Sequence, residues 1–149
     1  MEEYEKQILA NDLCGRLGHD VVVRVGTAYD IANNITEDGT LKGIEFDDKY
    51  FGIKALVNVK TNSGSITYGV AIEDVKPYLR PMSSMSSKEW VEFCDCSLKD
   101  ETSWVITSNR QKFIPVQNRE DYLNSKHFDY RGLIKKGLAL KAPKDMYNF

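Results

Sequence analysis

Cys94 and Cys96, with His127 further along the chain, form the sharpest constellation of chemistry-bearing residues in this sequence. Two thiolates and an imidazole are three of the roughly four ligands that a tetrahedral zinc site takes. A single residue, Asp95, separates the cysteines, whereas paired zinc ligands are typically about two to four residues apart, and the other histidine, His19, lies far off in the sequence. A redox dithiol also needs two intervening residues. The spacing therefore points to one buried cysteine and one exposed cysteine at a helix end, with no metal and no cofactor. A nucleophilic cysteine needs a histidine within hydrogen-bond reach and a third group to orient it. Cys14 with His19, or Cys94 or Cys96 with His127, supplies the residue types, but nothing local enforces the geometry. His127 and Asp129 have the types for an acid–base pair. Their setting favours a backbone role, in which His127 ends one helix, Phe128 enters the core and Asp129 caps the next helix.

Gly132 and Gly137 share the glycine spacing of a phosphate loop, yet Leu138 stands where the lysine belongs and no strand precedes them. The sequence has no dinucleotide fingerprint, nucleophile elbow or paired-histidine metalloprotease motif. No catalytic set is legible, and the expectation is a protein that is not an enzyme.

The elements that would position these residues follow from periodicity and punctuation. Leu9, Ala10, Leu13, Cys14 and Leu17 give one apolar face to a helix over 2–14, with acidic residues at its start and Gly15 at its end. The β-branched run Val21–Val25 reads as a strand. Asp38-Gly39 reads as a hairpin turn between Ile35 and a returning strand from Leu41 to Phe46. Ile53, Ala55, Val57 and Val59 alternate, Asn62-Ser63-Gly64 turns the chain, and Ile66, Tyr68, Val70 and Ile72 alternate on the way back. Pro77 and Pro81 mark the exit from this sheet.

Beyond it, Ser86 and Glu89 form a capping box, with Met85 and Trp90 placed as a hydrophobic staple, so a helix starts at Ser87. Residues 104–107 and 112–116 read as strands joined near Ser108-Asn109-Arg110, with Pro115 placing the second on an edge. Asn118 caps a helix holding Tyr122 and Leu123. A last helix, about Tyr130 to Lys136, ends at Gly137 in the left-handed conformation, with Leu138 folding back onto Leu133. The expected class is α+β. It comprises an N-terminal helix, a small antiparallel SH3-like barrel or curled sheet, and then a mixed helix and strand C-terminal lobe. The lobes span 1–80 and 81–149 and pack as one compact unit.

At 149 residues the chain is long enough to bury roughly 70% of the surface it exposes when unfolded. Its three cysteines and its acidic start, Met1-Glu2-Glu3-Tyr4-Glu5, without an apolar run, suggest an intracellular, cytoplasmic protein with reduced thiols and no membrane span. Net charge is −2 but uneven: the first half, 1–75, is acidic and 76–149 is basic. Small barrels bind single-stranded nucleic acid through aromatic platforms among basic residues. Here Tyr29, Phe46, Tyr50, Phe51 and Tyr68 fall in the acidic half, whereas Arg131, Lys135, Lys136, Lys141 and Lys144 lie near Tyr130 and Tyr147. That split argues against one focused nucleic-acid site.

Three strings carry a resemblance: Asp12-Leu13-Cys14-Gly15-Arg16-Leu17, the run from Val75 to Met85, and the stretch from Tyr122 to Tyr147. With them the chain resembles a family of short uncharacterised proteins from gut Bacteroidales and their phages and prophages. The likeness covers about a third of the residues. Where that family tends to be acidic around 141–145, this chain has Lys141 and Lys144. The resemblance implies a phage or mobile-element origin and an intracellular setting; it implies no activity.

The expected function is thus a non-catalytic module that recognises a protein partner. Tyr78, Arg80, Trp104, Tyr130, Arg131, Lys135 and Lys136 are the residues expected at its surface. The alternative expectation is weak nucleic-acid binding by the basic C-terminal segment.

Overall fold

A computed structural model describes residues 1–47, 52–96, 103–106, 113–116 and 118–149, with the side chains of 28, 47, 103–106 and 113–116 excepted. The chain opens with helix α1 (Glu3–Gly15), whose first turn is closed by the Glu2 N–H donating to the Glu5 carboxylate at 2.9 Å. Strand β1 (Val22–Val25) and the short helix α2 (Ala28–Ala32) follow. Three long strands come next, β2 (Glu37–Asp47), β3 (Gly52–Thr61) and β4 (Gly64–Ala71), and then β5 (Val75–Leu79). Helix α3 (Ser87–Asp95), the hairpin β6 (Ser103–Ile106) and β7 (Phe113–Val116), helix α4 (Arg119–Ser125) and the two-residue strand β8 (Leu140–Lys141) complete the order.

The main sheet has six strands in the order β4-β3-β2-β1-β5-β8. All its pairings are antiparallel except β5 with β8, which run parallel with Tyr78 opposite Leu140. Of the two architectures expected, the curled open sheet is the one seen, with β4 and β8 at its edges. The register of β2 against β3 shifts between Leu41 and Gly43, a bulge at Lys42 that adds twist and bends the sheet. Ile53, Ala55, Val57 and Val59 alternate into the core as their spacing predicts. On β4 only Val70 is buried, and Ile66 is 55% exposed.

Four expectations are corrected. Asp38-Gly39 is not a turn. It lies inside β2, where Arg24 faces Asp38 and Val23 faces Gly39. The reversal between β1 and β2 is made by α2, capped by Thr27 and Asp30. Gly39 serves close approach instead, since a β-carbon there would sit 2.5 Å from a Val57 methyl. Cys14 on α1 and Leu17 just beyond it are exposed, whereas Asp12 and the C-capping Arg16 are wholly buried beside Leu9, Ala10 and Leu13. A buried ion pair takes the place of the apolar residues the period suggested. Finally, Tyr130 to Lys136 is not a continuous helix. Gly132 has φ +70°, which breaks the spiral, and only one helical turn remains before Gly137. Pro77, read as part of the exit from the sheet, is a buried residue of β5 opposite Val23.

The punctuation itself is as the sequence indicates. Ser86 and Glu89 exchange capping hydrogen bonds at 3.1 Å each, and Asn118 accepts from the Asp121 N–H at 2.7 Å. Gly137 has φ +74°, the Leu138 N–H donates to the Leu133 carbonyl at 2.9 Å, and both leucines are buried. This is a Schellman closure around a single turn. The same arrangement ends α4: His127 takes φ +58° and the Phe128 N–H donates to the Leu123 carbonyl at 2.9 Å. Strands β6 and β7 pair with Trp104 opposite Pro115, and the turn expected at Ser108-Asn109-Arg110 lies outside the described residues.

One large cluster of buried side chains joins α1 and the sheet to Leu133, Leu138 and Ala139. A second holds Tyr122, Leu123 and Phe128, with Met85 and Phe93 against it. Among the described residues, no helix is long and apolar enough to cross a membrane.

Candidate functional site

The end of β5 organises a concave part of the surface. Successive residues of a strand offer their peptide groups to opposite edges. The Leu79 carbonyl accepts from the Ala142 N–H at 2.8 Å on one side. On the other, Arg80 donates to the His127 carbonyl and accepts from the Asp129 N–H, both at 2.8 Å. Three chain segments distant in sequence are thereby laid side by side, and the start of α3 closes the fourth wall. Between them lies a cleft of about 810 Å³.

The Arg80 guanidinium forms one wall. It lies 4.3 Å from the Phe128 ring centre and 5.2 Å from that of Phe149, and pairs with both carboxylate oxygens of Glu89 at 2.7 and 2.9 Å. This pairing holds the Glu89 carboxyl at about 2, well below its ordinary range. Glu92 accepts from the Tyr122 hydroxyl at 2.7 Å, and burial together with that carboxylate pushes the phenol up. The C-terminal wall is pinned by Tyr147, whose hydroxyl donates to the Tyr78 carbonyl at 2.8 Å and accepts from the Val22 N–H at 3.0 Å. Burial pushes this phenol to about 12.

Five cations and two carboxylates line the cleft, a net charge of +3. Arg80 and Glu89 satisfy one another, Lys126 lies 4.7 Å from the Phe149 ring centre, and Lys88, Lys141 and Lys144 are exposed without an ion pair among the described residues. Across Ser86, which belongs to both, the cleft passes into an apolar groove of about 580 Å³ between Met82, Met85, Trp90 and Val91. Trp90 is 56% exposed and Val91 58%. The groove has this character because α3 buries none of its residues fully, and Phe93 alone turns its ring to Tyr122, 6.3 Å away.

The residues expected at a partner surface are not gathered in one place. Arg80 lines the cleft. Tyr78 is half-buried on β5, its hydroxyl donating to Asp38 at 3.1 Å. Tyr130 and Arg131 belong to a part-exposed polar network: Arg131 meets Glu120 at 2.9 Å and Asp12 at 3.4 Å, and the Tyr130 hydroxyl bonds Asn124 at 3.0 Å. Lys135 and Lys136 are exposed on the single turn before Gly137. Trp104 is a β6 residue whose side chain lies outside the described ones. Lys88, Lys126, Trp90 and Val91 were not expected at a site. The one available hint was that Trp90, Val91, Phe93 and Cys94 span too wide an arc for a single buried helix face.

The thiols and imidazoles stay apart in their bonding. Cys94 is exposed, and the Cys96 thiol donates to the Glu92 carbonyl at 3.2 Å, with burial pushing it up. His127 stacks on Tyr147 with ring centres 4.0 Å apart. Burial, reinforced by Arg16, His19 and Arg80, lowers it to about 4. Asp129 accepts from the Leu133 and Ile134 N–H groups at 2.7 and 2.9 Å, a capping role reached across the Tyr130–Gly132 loop. None of Cys94, Cys96, His127 and Asp129 lines the cleft. Among the described residues, no group of three His, Cys, Asp or Glu side chains is placed to hold a metal ion.

Compared with protein-family models, with curated proteins and with solved structures, the chain matches none.

Proposed function

We propose that the protein is a non-catalytic interaction module, an intracellular accessory protein of a phage or mobile element, and that it holds a segment of a partner protein against α3. The observation that carries this reading is the apolar groove. Trp90, Val91 and Met82 are each more than a third exposed and lie together with Met85 on one surface. Exposed apolar side chains grouped in a groove mark interaction sites. Tryptophan is also the residue type that most often anchors an interface. The phage context rests on the resemblance carried by the strings around Asp12, Val75 and Tyr122.

A random twelve-residue peptide library sorted against the folded protein tests the proposal. Selected peptides bind the native protein and lose binding by about tenfold or more with Trp90→Ala, the size of a hot-spot truncation. The ring is 56% exposed, with the Phe93 ring centre 5.7 Å away, so the variant is expected to stay folded, which circular dichroism checks. Sorting that enriches nothing, or peptides that bind Trp90→Ala unchanged, removes the groove as the functional surface.

A further inference from the structure

Resting on the reading of α3 as a docking surface, we infer that the segment it receives is acidic: a protein stretch with an apolar side chain for the groove and carboxylates for the adjoining cleft. The argument is charge complementarity across Ser86. On one side stand Trp90 and Val91; on the other, Lys88, Lys141 and Lys144 have no ion pair among the described residues. The carboxylates facing the cleft do not answer them, since Glu89 is held by Arg80 and Glu92 by the Tyr122 hydroxyl. A bound acidic segment supplies the missing counter-charges while its apolar residue fills the groove. Opposed potentials of this kind select partners and speed encounter more than they add raw affinity.

Nucleic acid fits the same surface less well. Single strands need free aromatic faces on which bases stack. The Phe149 ring is already flanked by Arg80 at 5.2 Å and Lys126 at 4.7 Å, and Tyr147 is stacked on His127. The groove beyond Ser86 offers no cation to a phosphate.

The peptide library is sorted in parallel on the native protein and on a Lys141→Glu, Lys144→Glu variant. Both side chains are exposed, and a thermal melt of the variant checks that it folds. The expected result is that the native protein enriches peptides combining an apolar residue with several Asp or Glu. Their binding weakens about tenfold as salt rises to several times physiological strength, and the variant loses them. Enriched peptides that need Trp90 but show no acidic bias overturn the inference and leave the docking surface intact. A library that yields nothing removes the docking surface and the inference with it. Tighter binding of a labelled oligothymidylate than of any selected peptide overturns the inference in favour of nucleic acid.

Discussion

Arg80 and Glu89 are joined by two hydrogen bonds, and the oxygen of Glu89 nearest Ser86 also accepts the N–H that closes the capping box of α3. One carboxylate thus fixes the start of a helix and ties it to the end of β5. The pair is mostly but not wholly buried, with side chains 18% and 13% exposed. Exposed pairs contribute less than about 1 kcal/mol, and breaking buried ones costs about 3–5. Glu89→Gln therefore costs about 2 kcal/mol in urea denaturation at neutral pH. Because the native carboxyl sits at about 2, the unfolded chain takes up this proton first as pH falls. The contribution is whole above the ordinary carboxylate range and gone below pH about 2. Glu89→Gln flattens that acid limb.

His127 titrates in a separate window. It is buried, its Nδ1 has no hydrogen-bond partner, and it is neutral down to pH about 4. An unfolded histidine gains its proton near pH 6.5, so the denatured state binds the proton first between the two values. Stability attributable to this residue is complete above 6.5 and falls by about 3 kcal/mol as pH drops toward 4. His127→Asn tolerates the left-handed backbone and removes the titration. Urea melts of the variant across this range should show a shallower slope than the native protein.

Asp12 and Arg16 make a wholly buried ion pair, at 2.7 and 3.0 Å, and Arg16 also donates to the Phe128 carbonyl at 2.8 Å. Asp12→Asn leaves a buried guanidinium without its counter-ion, a loss of about 3–5 kcal/mol. Asp12→Leu combined with Arg16→Met removes both charges and costs less than the sum of the two single changes. A double-mutant cycle by chemical denaturation measures the difference.

Two glycines separate steric from conformational need. Gly39→Ala drives a β-carbon to 2.5 Å from Val57 and 2.8 Å from the Asn58 carbonyl, so β2 and β3 must part, at about 3 kcal/mol. Gly137→Ala meets no atom within 4 Å but keeps a φ of +74°, which costs about 1 kcal/mol. Thermal melting ranks the two.

The helix boundaries at Ser86, Asn118 and Gly137 were legible because a cap is a contract between residues a few positions apart. Asp38-Gly39 misled because its turn propensity is local while its partners, Arg24 and Val23, are not. Thr27 and Asp30, spaced as a capping box, could have revealed α2. Asp12 was missed on α1 because a charged side chain is read as solvent-facing unless its counter-ion is known to be buried too. The cleft was illegible for a further reason: Arg80, Glu89, Lys126 and Lys141 meet only after β5, α3, α4 and β8 have docked, and no periodicity encodes that.

The parallel pairing of β8 with β5 has a consequence for biosynthesis. Everything through Leu79 leaves the ribosome before Leu140 exists, so one flank of the nascent sheet stays open and the wall later covered by Leu133, Leu138 and Ala139 stays wet. Translation that stalls or terminates short of these residues leaves a sticky intermediate of the kind that chaperones retain.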